Sequence, residues 1–257
     1  MRFFIALHLA LRAMMRNKVR TALTMLGIVI GIASVIAMVG LGRGASSMIQ
    51  DQISSMGRNL LMVLPGAASS GGLSYGGGTG TTLTPEDAAA MVKEIPSVRA
   101  VTPIVRSRAQ LVYGGQNWVP SSMMGVGPGF VEVREWTLDE GSFLSEQDVV
   151  TAAKVCVLGR TVAENLFGGD APLLQTIRIK NMPFKVVGIL ARKGTNAMGQ
   201  DQDDTVLVPW TTVKKVLQGS AFNNVDQILV TVSTPEAMAQ ATLEITALLR
   251  ERHRLRE

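Results

Sequence analysis

The side chains best able to do covalent or acid–base chemistry are sparse in this chain. Among 257 residues there are two histidines, His8 and His253, and one cysteine, Cys156. His8 falls within an apolar pattern and reads as an interfacial residue, while His253 lies in the arginine-rich tail RERHRLRE. Neither stands where it could be the base of a nucleophilic triad. Cys156, in AAKVCVLG, occupies a strand-like apolar run, where a small buried side chain is expected rather than a reactive thiol. A lone cysteine cannot form an intramolecular disulfide, so a folded domain must rest on its core. The one acidic cluster is GQDQDDT, holding Asp201, Asp203 and Asp204. A calcium loop would close with a bidentate glutamate, which is missing at that spacing, so a solvated turn before a strand is expected. No zinc-ligand spacing occurs, and Trp118, Trp136 and Trp210 read as packing residues. The glycine-rich run 66–82 lacks the lysine of a phosphate loop, so a mobile loop is expected and nucleotide binding is rejected. No catalytic, cofactor-binding or metal-binding residue is assigned. The balance points to a binding, scaffolding or force-transmitting protein.

The element that must organise the rest runs from Thr21 to Gly42, TALTMLGIVIGIASVIAMVGLG. It carries no charge and is bracketed by Arg20 and Arg43. About 22 residues at roughly 1.5 Å each give about 33 Å, enough to cross a bilayer core of about 30 Å. In lipid a single segment can satisfy its backbone only as a helix. The run is too long and too far from the first residue for a cleaved signal peptide, so an uncleaved anchor is expected. Gly27, Gly31 and Ser34 share one face, and small residues there would admit a second membrane helix. Arg2, Arg12, Arg16, Lys18 and Arg20 precede the span with no acid among them, and Arg43 follows it. Positive charge ahead of a first span keeps that side cytoplasmic. The expected topology is a cytoplasmic N-terminus and a main domain outside the cytoplasm. Outside this head, basic and acidic residues nearly balance, so the net charge of +5 gives the main domain no basic face for nucleic acid.

Around the span, residues 3–15 predict an amphipathic helix at the inner membrane surface. Met48, Ile49, Ile53 and Met56 recur at helical spacing, so the membrane helix should continue outward until Gly57. Asn59–Pro65 reads as a short buried strand. Thr84-Pro85-Glu86-Asp87 starts a helix, with Thr84 as N-cap, Pro85 at the first position and two acids against the positive helix end. That helix should end at Ile95 before Pro96. VRAVTPIVRSRAQLV and QNWVPSSMMGV predict two strands joined through Gly114-Gly115, followed by irregular chain with a short helix near Phe130–Glu135. KVCVLG predicts a strand and RTVAENLF a helix ending at Gly168-Gly169. QTIRIKN and PFKVVGIL predict a hairpin turning at Asn181, Met182 and Pro183. TVLVP predicts a strand, and WTTVKKVL a short helix. DQILVTVS predicts a last strand before the helix TPEAMAQATLEITALLRERHRL. Thr234-Pro235-Glu236 repeats Thr84-Pro85-Glu86. The repeat predicts two strand–helix–strand units side by side with the middle of the chain inserted between them.

The sequences ALRAMMRNKVRTALTMLGIVIGIASVIAMVGLGRGA and SMGRNLLMVLPG resemble the permease subunits of MacB-type (FtsX-like) ABC transporters. LTPEDAAAM, LGRTVAENLFG, IRIKNMPFKVVGIL, AMGQDQDDTVLVP and EITALLRERH extend the resemblance over nearly the whole chain. It implies four membrane helices with a large periplasmic domain between the first two. The expected fold is therefore α+β: one N-terminal membrane helix, then a periplasmic core domain over 43–257. That domain would hold membrane-proximal units at about 43–112 and 225–257 and a mostly β lobe inserted at about 113–224. The resemblance also implies a dimer, or pairing with a related permease, and a cytoplasmic ATPase in a separate chain. A periplasmic adaptor and an outer-membrane channel would complete an efflux route. Because the sequence stops at Glu257, before any second span, it is expected to be the N-terminal part of such a permease. It also departs from the family at Leu174, where a glycine commonly precedes the strand. Two rival readings are a single-span periplasmic sensor and an FtsX-like regulator of a cell-wall hydrolase.

Overall fold

The computed structural model describes residues 18–55, 59–66, 69–70, 73–74, 82–196 and 199–254. The expected amphipathic helix over 3–15, with His8, lies outside these residues, as do Gly57 and most of the glycine-rich run. The chain divides into two units, Met1–Asp51 and Gln52–Glu257.

The first unit is dominated by helix α1, Lys18–Ser55. Its stretch Lys18–Gly44, 27 residues, is long and apolar enough to cross a membrane. Its large apolar side chains, from Val19 to Leu41, are exposed, the reverse of a soluble core helix. Its hydroxyls are satisfied within the helix. Thr24 Oγ1 donates to the Arg20 and Thr21 carbonyls, and Ser34 Oγ donates to the Ile30 carbonyl at 2.7 Å. These bonds let polar residues sit in an otherwise apolar segment without an orphaned donor. As expected, the helix runs on past the apolar stretch, to Ser55.

The second unit is built on one large sheet. Its elements in order are β1 Leu60–Val63, β2 Ser69–Ser70, β3 Leu73–Ser74, α2 Pro85–Glu94, β4 Val98–Ser107, β5 Leu111–Tyr113, β6 Gln116–Trp118 and β7 Ser122–Val126. Then come α3 Phe130–Val133, β8 Leu138–Gly141, α4 Glu146–Thr151, β9 Val155–Leu158, α5 Arg160–Phe167, β10 Thr176–Ile179 and β11 Met182–Leu190. Finally there are β12 Thr205–Pro209, α6 Trp210–Thr212 running into a π-helical turn Val213–Gln218, β13 Gln227–Val232 and α7 Ala237–Arg252. The strand order is β1-β13-β4-β7-β12-β9-β11-β10-β5-β6, with β8 also on β11, while β2 and β3 pair separately. Pairing is antiparallel except for β7 with β12 and β9 with β11. The mixed sheet with segregated helices is the α+β class the sequence predicts. The sheet is continuous through the segments assigned to the membrane-proximal units and the inserted lobe.

Strand periodicity divides the core between two faces. Cys156, Leu158, Val206, Val208, Ile228 and Val230 join one apolar cluster, while Val157, Leu207 and Leu229 join the other. The sheet must also curl. Only three residues separate Ser107 of β4 from Leu111 of β5, yet five strands lie between them in the sheet order. A link that short spans at most about 14 Å, so the two ends of this run of strands approach each other. Helix α5 packs on β5, β6, β11 and β12, with Phe167 against Tyr113 at a ring separation of 4.2 Å.

Several local expectations are corrected. The segment predicted as a buried strand over Asn59–Pro65 is an edge strand over Leu60–Val63: among the described residues β1 pairs with β13 alone, and Met62 and Leu64 are exposed. Each of the two long strands predicted around Gly114-Gly115 is split in two, because the chain must leave β4 and rejoin the sheet at β5, and again pass from β6 to β7. The β10–β11 turn is made by Lys180 and Asn181, both with positive φ, and Met182 and Pro183 already pair in β11. The stretch after residue 128 is more ordered than predicted. It contains β8 and then α4, which Ser145 and Asp148 cap reciprocally. Leu174, where the resembling family commonly has glycine, has φ of 64°. That left-handed conformation costs a residue with a Cβ about 1 kcal/mol. Its amide donates to the Val186 carbonyl at 2.8 Å, which holds the turn before β10.

Candidate functional site

The sequence-predicted packing face comes first. Gly27 and Gly31 lie four residues apart on α1, with nothing within 4 Å of the position a Cβ would take. Ser34 completes the face and keeps its hydroxyl on the Ile30 carbonyl. The face is smooth and its polar group is already bonded, so another helix could approach without displacing a hydrogen bond.

The second site was missed by sequence reasoning. Asp87, on the first turn of α2, is buried. Within its own helix it forms a capping box with Thr84: the Thr84 amide and hydroxyl each donate to Asp87 Oδ2 at 2.9 Å, and the Asp87 amide donates to Thr84 Oγ1. From the end of α7, Arg252 Nε donates to Asp87 Oδ1 at 2.8 Å, and His253 Nε2 lies 2.9 Å from Oδ2. Burial pushes the Asp87 carboxyl up, but the bonds from Arg252, the Thr84 amide, His253 and the Thr84 hydroxyl outweigh it and hold it below its ordinary value. One carboxylate thus starts α2 and fastens the last turn of α7, some 165 residues later. From the sequence, Asp87 reads only as an acid against the positive end of α2 and His253 as part of an arginine-rich tail. The available signal was the Thr-Pro-Glu repeat, which set the two helices side by side.

The acidic cluster is not a solvated turn. Asp203 is buried and accepts from the backbone amides of Lys193 and Gly194. Asp204 accepts from Trp118 Nε1 at 2.7 Å and from the Ser121 amide, and Asp201 accepts from Thr161 Oγ1 at 2.6 Å and from the Asp203 amide. The three carboxylates tie different segments together, and among the described residues no group of His, Cys, Asp or Glu is placed to hold a metal ion. Gly159 is needed here, since a Cβ would collide with the Asp203 carbonyl oxygen. Beside this loop Lys193 Nζ donates to the Arg134 carbonyl and lies 5.2 Å from the Trp136 ring centre. Burial, then the Arg134 charge, lowers the Lys193 pKa to about 8. Trp136 is buried and donates to the Ala191 carbonyl. Cys156 is fully buried, and burial pushes its thiol far up, consistent with a packing role.

An exposed apolar helix of membrane-crossing length, joined in one chain to a curled α+β sheet domain, defines a helix-anchored domain protein. The comparisons narrow the class: residues 21–248 match the MacB-like periplasmic core domain, and the chain belongs to that family. It is 51% identical over 229 residues to a macrolide export ATP-binding/permease protein MacB of Syntrophobacter fumaroxidans, covering 89% of this chain and 32% of that protein. It is 41% identical over 247 residues to the protein of the same name from Chlorobaculum tepidum, covering 96% of this chain and 37% of that one. The chain therefore spans about a third of the length of these relatives. The periplasmic region of MacB from Actinobacillus actinomycetemcomitans shares the fold, with a TM-score of 0.63 at 24% identity over 78% of this chain and 87% of that one. So does the extracellular domain of YknZ from Gram-positive bacteria, with a TM-score of 0.61 at 17% identity over 77% and 97% of the two chains. With α1, the family makes this a membrane protein with an extracellular domain.

Proposed function

We propose that this chain is part of the permease of an ABC-type exporter. On this reading it couples ATP hydrolysis, performed by an ATPase subunit outside these residues, to movement of a periplasmic domain and to substrate efflux. The observation that carries the reading is the unbroken helix α1, which extends 11 residues beyond its apolar stretch Lys18–Gly44 and leads into a MacB-like core domain. A helix without a break transmits displacement better than a flexible tether does. The basic head supports a cytoplasmic N-terminus, with the core domain beyond the inner membrane. The face of Gly27, Gly31 and Ser34 is the seat of a second membrane helix, from another copy or a related permease. The core domain, with membrane-proximal units at about 43–112 and 225–257 flanking a lobe at 113–224, would meet an adaptor leading to an outer-membrane channel. The chain itself carries no catalytic role in this scheme.

A chimera tests the reading. This chain replaces its 229-residue counterpart in the Syntrophobacter fumaroxidans relative, and macrolide efflux is measured in cells. Retained ATP-dependent efflux is expected. A chimera that folds, inserts and hydrolyses ATP at the parental rate but moves no macrolide under any tested condition would reject it.

A further inference from the structure

We infer that one end of the core domain is a lipid-contacting surface that rests on an anionic membrane through Phe222 and a ring of cations. The end is defined by contacts within the domain. Val225 donates its amide to the Leu83 carbonyl, Asp226 to the Ile104 carbonyl, and Gln218 Nε2 to the Arg106 carbonyl. Val63 pairs with Ile228, and Gln227 with Ile104, so Leu64, just past β1, reaches the same end. Arg252 and His253 on Asp87 bring the close of α7 to the start of α2, directly after Leu83.

At this end the loop from Gly219 to Asn224 presents Phe222, 76% exposed. The loop is fastened, not free. Lys214, nearly buried in the π-helical turn, donates to Asn224 Oδ1 at 3.2 Å, and the Phe222 amide donates to Ser220 Oγ. Leu64 is 53% exposed nearby. Five exposed cations, Arg106, Arg108, Lys215, Arg250 and Arg254, belong to the same end, against four exposed acids, Glu86, Glu94, Asp226 and Glu251. Asp226 accepts from the Arg106 amide, which holds it beside that arginine. An aromatic and a leucine among an excess of cations is the composition of a segment lying in a lipid interface. Each cation near an anionic surface strengthens contact about fivefold. The affinity required is small, because the domain is tethered to the membrane segment in the same chain.

This inference rests on α1 spanning a membrane, and the test separates the two. Cys156 is fully buried, so a thiol probe can be directed to an introduced cysteine in the full chain. Phe222→Cys carries an environment-sensitive fluorophore in nanodiscs whose lipids bear a doxyl quencher near the headgroup or, in a second set, midway along the acyl chain. Val29→Cys, exposed on the side of α1 away from Gly27, Gly31 and Ser34, reports the span against the mid-chain quencher, and Val150→Cys, on exposed α4, serves as a control. Strong quenching at 222 in discs with about one-third anionic lipid is expected, severalfold above that at 150. It should fall in neutral discs, at 1 M salt, where screening shortens to about 3 Å, and in the Arg106→Glu, Lys215→Glu, Arg250→Glu variant. Quenching at 29 by the mid-chain label without quenching at 222 overturns the lipid contact and leaves the span standing. So does protection of 222 only when a periplasmic protein is added, which would assign the loop to a protein partner. Absence of quenching at both positions removes the span and this inference together.

Discussion

Two helices of the core domain begin with the same three residues, and only one is strongly capped. α2 starts at Pro85, directly after Thr84, with a complete capping box. α7 follows Thr234-Pro235-Glu236 but is helical only from Ala237, with no side-chain cap on its first turn. Thr234 Oγ1 meets the Ala237 amide at a long 3.4 Å. The fourth residue accounts for the difference. Asp87 can reach back to the cap amide, whereas Ala237 in the same place has nothing to return. The same aspartate then serves a distant helix end, so one substitution in the tetrapeptide separates a junction from a plain helix start.

The comparison can be broken most forcefully at Asp87. Asp87→Ala removes the box, worth about 1 kcal/mol, and the charge-assisted bonds to Arg252 and His253, worth roughly 1.5–3 kcal/mol. A loss of about 3 kcal/mol is expected in denaturant unfolding of the core domain within the full chain. Arg252→Ala, which spares the box, should cost about 1.5 kcal/mol in the same measurement. An equal loss in both variants would contradict the dual role. Acid should act on the same carboxylate. Because its folded pKa is below the unfolded value of about 3.9, its contribution is complete above that value and is lost as pH falls through the folded pKa. Asp87→Asn should flatten the dependence of stability on pH below about 4, as seen in unfolding midpoints. Ala237→Asp supplies the missing partner to Thr234 and should add about 0.5–1 kcal/mol. Thr234→Ala should change stability by only a few tenths; a cost as large as that of Thr84→Ala would erase the distinction.

Much of this was legible from residue type alone. The charge-free run from Thr21 predicts α1 because lipid leaves a single segment one option, and the Thr84 start follows from side-chain chemistry within four residues. Cys156 reads as buried because it sits in a short, continuous apolar run of strand length. What stayed hidden depends on partners far along the chain. Asp87 is fully accounted for as an acid at the positive end of a helix, so nothing local asks for Arg252 or His253. The Asp201–Asp204 cluster looks solvated because its donors, Lys193, Ser121 and Trp118, come from elements whose proximity only the fold creates. The breaks between β4 and β5 and between β6 and β7 are equally silent, since apolar periodicity continues through a corner that the sheet's curvature imposes.

The place of β13 between β1 and β4 sets the order of events during synthesis. Leu60 faces Thr231, so β1 waits for about 170 further residues before its neighbour exists. At 5–20 residues per second the ribosome needs roughly 10–30 s to deliver it. The apolar helix emerges first, so the domain must mature after its anchor is already committed, with an apolar strand awaiting closure. A chain of this design depends on folding where it is inserted, and delayed delivery of the last strand would expose that edge to aggregation.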